Sequence, residues 1–165
     1  MNELSTSVEI DAPTDAVWAV LTNFDAYPEW NPVMQVAGRP TEGARLTVEL
    51  RLPGKRATTF RPTVTRVTEQ RELRWLGHLL VAGLYDGDHR FELEPLADGR
   101  TRFTQAETFG GLLVGPINRW LGDATREGFE RMNAALKARA ESLASERVAD
   151  VEVRSETSGD DVLSA

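Results

Sequence analysis

Between Ala44 and Phe109 the apolar residues recur at every second position. After Gly110-Gly111 they recur with the period of a helix, for about eight turns. A chain with this switch builds an antiparallel sheet and buries the stripe of one long helix against it. In "ARLTVELRLPG", Leu46, Val48, Leu50 and Leu52 face one way and Thr47, Glu49 and Arg51 the other, and Pro53-Gly54 closes the strand as a turn. "TTFRPTVTRVTEQ" sets Phe60, Pro62 and Val64 on one face before Val67 breaks phase, which predicts an edge position or a bulge. "ELRWLGHLL" groups Leu73, Trp75 and Gly77, and "DHRFELEPL" and "TRFTQAETF" are the clearest strands. Pro116 marks the start of the helix, and Ile117, Trp120, Leu121, Ala124, Gly128, Met132, Leu136 and Leu143 form its stripe.

Upstream, "LSTSVEI" reads as a strand and "DAPTDAVWAVLTNF" as a helix. Pro13 suits its first turn, Asp15 its positive end, and Val17, Val20, Leu21 and Phe24 make one face. A second short helical or irregular turn, Asp25 to Pro32, carries Tyr27 and Trp30 together with Pro28 and Pro32. The order is strand, helix, short turn, five or six antiparallel strands, long helix: an α+β chain.

The last hairpin can be registered from its loop. A two-residue loop of Asp98-Gly99 sets Phe91 against Ala106 and mixes apolar with polar faces. A three-residue loop, Ala97-Asp98-Gly99, pairs Leu96 with Arg100, Leu93 with Phe103, Phe91 with Gln105 and His89 with Glu107, with Gly99 in the left-handed position. His89, Gln105 and Glu107 then point to the apolar side of the sheet beside Phe91, Phe103 and Phe109. Burying such groups costs several kcal/mol unless they pair or stay wet. They are therefore expected to pair, and the concave side to hold a cavity.

Length suits one core, expected over residues 1–145. Residues 146–165 hold six acids and two arginines, −4 of the net charge of −7, and read as an acidic, mostly disordered tail. An acidic surface disfavours nucleic acid and anionic lipid headgroups as partners. No apolar run approaches the ~20 residues that span a bilayer, so no stable membrane insertion is expected. No secretory signal is visible, and a cytoplasmic location is expected. Cysteine is absent, which removes disulfides and thiol chemistry. His78 alternates with Gly77 and is expected to face outward. Two histidines on separate strands make no metal motif, and "GGLLVG" lacks the Lys-Ser/Thr ending of a phosphate loop, so neither metal nor cofactor is expected.

The early "VWAVLTNFDAYPEWNP" and the later "GDHRFELEPLADGRTRFTQAETFGGLL" before a long helix resemble the START-like, or SRPBCC, superfamily, with its Bet v 1-like and polyketide cyclase/dehydrase members. The resemblance runs from about Leu4 to Ser145. It implies a helix-grip fold: a curved antiparallel sheet wrapped around the C-terminal helix, two short helices after the first strand, and a deep hydrophobic cavity. It makes Tyr27 and Trp30 candidates for the cavity wall, with Phe24 nearer the end of the core. Trp75, Phe91, Phe103, Phe109 and Trp120 join them, with His89, Gln105 and Glu107 as the polar lining. The implied function is binding or carriage of a hydrophobic small molecule, a lipid, polyketide-like aromatic or isoprenoid, with no catalysis. The alternative is a cyclase or dehydratase using His89 and Glu107 as an acid–base pair. Many members carry a histidine where this chain has Gln105, which weakens that case. A co-chaperone-like interaction module is a third reading. Ligand identity and oligomeric state are not legible.

Overall fold

The structure is a computed structural model that describes residues 3–78 and 81–159. Strand β1 (Glu3–Ile10) leads into α1 (Thr14–Thr22), a 3-10 turn (Phe24–Ala26) and the one-turn helix α2 (Tyr27–Trp30). Seven strands follow: β2 (Met34–Ala37), β3 (Thr47–Leu50), β4 (Thr58–Phe60), β5 (Thr63–Thr68), β6 (Glu72–His78), β7 (Asp86–Pro95) and β8 (Thr101–Gly110). Helix α3 (Val114–Gly159) closes the chain. Leu79 and Leu80, read with β6 in the sequence, lie outside the described residues.

The strands form an antiparallel five-stranded sheet in the order β1-β8-β7-β6-β5, and a smaller sheet β2-β3-β4. The Arg45–Thr63 bridge and the bonds Leu46 N–H to Pro62 O and Val64 N–H to Ala44 O join them into one curved wall. Pro62 falls between β4 and β5 because it has no N–H to give a ladder. Beyond it the register shifts between Val64 and Arg66, and β5 is a sheet edge, so both expectations for this stretch are met. The sequence reading passed over β2, whose four residues are too few to show a period.

The β7–β8 hairpin adopts the three-residue loop. Leu96 N–H donates to Arg100 O, Gly99 has φ +83°, and His89 faces Glu107, Phe91 Gln105, and Leu93 Phe103. Met132, Leu136 and Ala140 of α3 pack into the concave face with Leu73, Trp75, Phe91 and Phe103, while Val17 and Leu21 of α1 join the same cluster.

Helix α3 does not stop at Ser145. It continues to Gly159, where the sequence led us to expect an irregular tail. Extending an existing helix needs no new nucleus, and residues 146–158 contain neither proline nor glycine. Yet every side chain from Ser145 to Ser155 is exposed. Residues 160–165 of that tail lie outside the described residues. Truncation after Ser145 is therefore expected to change unfolding stability by no more than about 0.5 kcal/mol, as for surface changes generally. A larger loss in denaturant unfolding would mean the extension packs on the domain.

Candidate functional site: an apolar cavity under the first turns of the long helix

From Gly115 to Ala124 no residue of α3 is buried, whereas Thr125, Gly128, Phe129, Met132 and Asn133 are. The first turns of the helix thus stand off the sheet. The space beneath them is a cavity of about 530 Å³. The β3–β4 hairpin supplies Leu50, Leu52 and Phe60 to its wall, and α3 supplies Trp120, Leu121 and Thr125. Its other side is the ends of β6, β7 and β8, with Gly77, Gly87, Glu107 and Phe109, and Tyr85 just before β7. Gly77 and Gly87 pair directly across β6 and β7, so no side chain rises from the sheet there. That pair keeps the space open.

Glu107 leans over this gap. A methyl group at Gly87 would overlap Glu107 Oε1. Its side chain is 18% exposed, and Oε2 lies 3.5 Å from His89 Nδ1, beyond ordinary hydrogen-bond length. Among the described residues this carboxylate has that long contact as its one side-chain polar partner. It faces the cavity as an open acceptor. His89 sits behind it, 4% exposed, stacked on Trp75 with centroids 5.4 Å apart and edge-on to Phe129 at 5.1 Å. Gln105 Nε2 donates to His89 Nε2 at 3.1 Å, which leaves the ring proton on Nδ1, toward Glu107. Gln105 Oε1 has no partner in this arrangement.

Tyr85 stacks on Phe109 at 5.5 Å, and its hydroxyl donates to Asn118 Oδ1 at 2.9 Å. Burial, and then the nearby Glu107 charge, push its phenol above the ordinary tyrosine value, so it stays protonated at neutral pH. On the rim, His78 is exposed, as expected, and meets Asp86 at 2.6 Å. That contact, helped by the Gly83 N–H, holds the Asp86 carboxyl below its usual value. Lys55 and Arg56 complete the mouth.

Of the residues singled out from sequence, Glu107, Phe109 and Trp120 line the cavity. Trp120 is 68% exposed and sits at the mouth. His89 touches the site through Glu107. Trp75, Phe91, Phe103 and Gln105 are in packed core, because the buried half of α3 closes on that part of the sheet and leaves no space above them. Tyr27 is fully buried and donates to Leu21 O at 2.6 Å, and the half-buried Trp30 packs edge-on to it at 4.9 Å. The aromatic turn therefore caps the core instead of walling this cavity. Asn31 fixes the exit of that turn, its Oδ1 accepting from the N–H groups of Val33 and Met34. Sequence reasoning missed Phe60, Tyr85 and the Lys55-Arg56 turn. The signal that could have found them was the glycine at 77 and again at 87, two side chains missing from one face.

No helix among the described residues is long and apolar enough to cross a membrane. None of their His, Asp and Glu groups cluster in threes to hold a metal ion. No curated protein matches the sequence directly. Solved structures with a similar fold include the Zhui aromatase/cyclase from Streptomyces sp. R1128, 18% identical over 84% of this chain and 93% of that one, with a TM-score of 0.68. The di-domain ARO/CYC StfQ from the steffimycin biosynthetic pathway is 14% identical over 87% of this chain and 52% of that one, with a TM-score of 0.70. A START superfamily protein from Mycobacterium smegmatis is 24% identical over 86% and 98%, with a TM-score of 0.65. At these identities the likeness is one of fold. The profile of the family described as polyketide cyclase / dehydrase and lipid transport, however, matches residues 1–146, and the chain belongs to that family.

Proposed function

We propose that the protein binds and carries a hydrophobic small molecule, of lipid, polyketide-like or isoprenoid type, in the cavity under α3. One observation carries this reading: a largely apolar space of about 530 Å³ on whose wall stands one carboxylate, Glu107, with only a long 3.5 Å contact to His89 among the described residues. Sites for small molecules run to roughly 300–1,000 Å³, mostly apolar, with few polar groups to set orientation. Burial contributes about 25 cal/mol per Å² of ligand apolar surface, and Glu107 selects a ligand that brings a hydroxyl or N–H.

Titration with the neutral lipophilic dye Nile red tests the reading. Leu121→Trp adds bulk at the cavity wall and is expected to weaken binding about tenfold or more, since overpacking costs about 1–3 kcal/mol. Glu107→Gln keeps shape and an acceptor and is expected to change it by less than about threefold, there being no donor on the dye to lose. Wild-type binding that Leu121→Trp leaves intact would put the ligand site elsewhere.

A second reading, cyclase or dehydratase, draws support from Glu107 and the protonated Tyr85 sharing the cavity wall, with His89 behind the carboxylate. Such a site offers a base and an acid to one bound chain. On that reading Glu107→Gln and His89→Ala abolish turnover of a poly-β-ketone substrate while dye binding persists. A ligand that co-purifies and is released unchanged in native mass spectrometry favours the carrier.

A further inference from the structure

Resting on the binding reading above, we infer that the ligand is an amphiphilic acid, held with its anionic head at Lys55 and Arg56 and its apolar body inward. The chain carries a net charge of −7 and two lysines in all, yet one of those lysines and an adjacent arginine form the mouth of this cavity. Some arginines elsewhere are matched to acids among the described residues, as Arg100 and Arg102 to Glu9 and Arg90 to Glu3, and others, such as Arg39 and Arg61, are not; what sets Lys55 and Arg56 apart is their place at an apolar cavity. At the mouth, neither Lys55 nor Arg56 has a carboxylate partner among the described residues. The Lys55 ammonium reaches across to the helix, 4.3 Å from the Trp120 ring centroid, and donates to the Trp120 carbonyl at 3.2 Å. An ammonium has three donors, so two remain for a ligand.

Charge fixes the orientation. Glu107 is the carboxylate on the cavity wall, and an anionic head beside it in a poorly solvated space is repelled. At the mouth the same head meets two cations that remain in contact with water and so bear little desolvation cost. Phe60, Phe109 and Leu50 then take the apolar body. A hydroxyl further along the ligand can still reach Glu107, so a hydroxylated acid satisfies both ends.

The test is displacement of Nile red at low ionic strength by a matched set: dodecanoate, methyl dodecanoate and dodecylammonium, each below its aggregation limit. Dodecanoate is expected to bind about tenfold more tightly than the ester, which has neither charge nor donor, the effect of one charge-assisted hydrogen bond. In the double variant Lys55→Met, Arg56→Met, which keeps apolar stems at the mouth, that gap is expected to close, while the ester still displaces the dye. Added salt narrows the gap in the wild type. Equal binding of acid and ester, a gap that survives the double variant, or dodecylammonium as the tightest of the three overturns the inference while leaving hydrophobic binding standing. Failure of all three to displace bound dye overturns both.

Discussion

Phe103→Ala lowers unfolding stability by about 3–5 kcal/mol, the range for truncating a large buried aromatic. Phe103 is wholly buried in the interior strand β8, stacks on Phe91 at a centroid distance of 6.0 Å, and belongs to the cluster that α3 closes. Its surroundings are fixed by the sheet on one side and the helix on the other, so the space left behind cannot collapse. Phe109, six residues along the same strand, is a control. It lines the cavity, and part of its ring already lacks protein neighbours. Phe109→Ala forfeits the Tyr85 stack, worth about 0.5–1.5 kcal/mol beyond area, and little close packing. Denaturant unfolding of the two variants checks where packed core ends and cavity begins. Equal losses would mean that the cavity is filled in solution.

That boundary is what the sequence left open. Alternation identified which side chains of β7 and β8 point inward, and loop chemistry set their register to the residue. Both are local properties of a hairpin. Whether an inward side chain packs or lines a void depends on how closely the helix approaches, and that is a long-range matter. Trp120 and Met132 share the helical stripe, yet Trp120 lies at the cavity where α3 has lifted from the sheet and Met132 is buried, a difference that the period alone does not carry. Tyr27 and Trp30 drew attention as aromatics in a proline-rich turn. The Tyr27 hydroxyl has a carbonyl to bond at Leu21, so burial costs it no unpaired group. The cavity owes its existence to what is missing at Gly77 and Gly87, and missing side chains leave no trace in an apolar periodicity. Likewise the helix beyond Ser145 follows from chain continuity, which a compositional reading of an acidic segment does not weigh.

Gly87→Ala is expected to abolish recognition of a ligand hydroxyl while leaving the fold intact. The new methyl group would overlap Glu107 Oε1, and the carboxylate is the far end of a flexible side chain, so it swings aside and the sheet does not move. Alanine fits the extended backbone of β7, and thermal unfolding stays within a few degrees of wild type, about 1 kcal/mol or less. The matched pair 1-naphthol and naphthalene, both small enough to turn freely in about 530 Å³, isolates the hydroxyl. A hydrogen bond to a charged acceptor is worth about 1.5–3 kcal/mol, so the wild type prefers naphthol by about tenfold or more. Glu107→Gln retains a neutral acceptor and keeps part of that preference. Gly87→Ala turns the acceptor out of place and reduces the preference to about one, despite leaving Glu107 in the sequence. Competition titrations against Nile red read both ratios. A naphthol preference that survives Gly87→Ala would remove Glu107 from ligand recognition and leave Tyr85, the other polar group on that wall, as the partner of the hydroxyl.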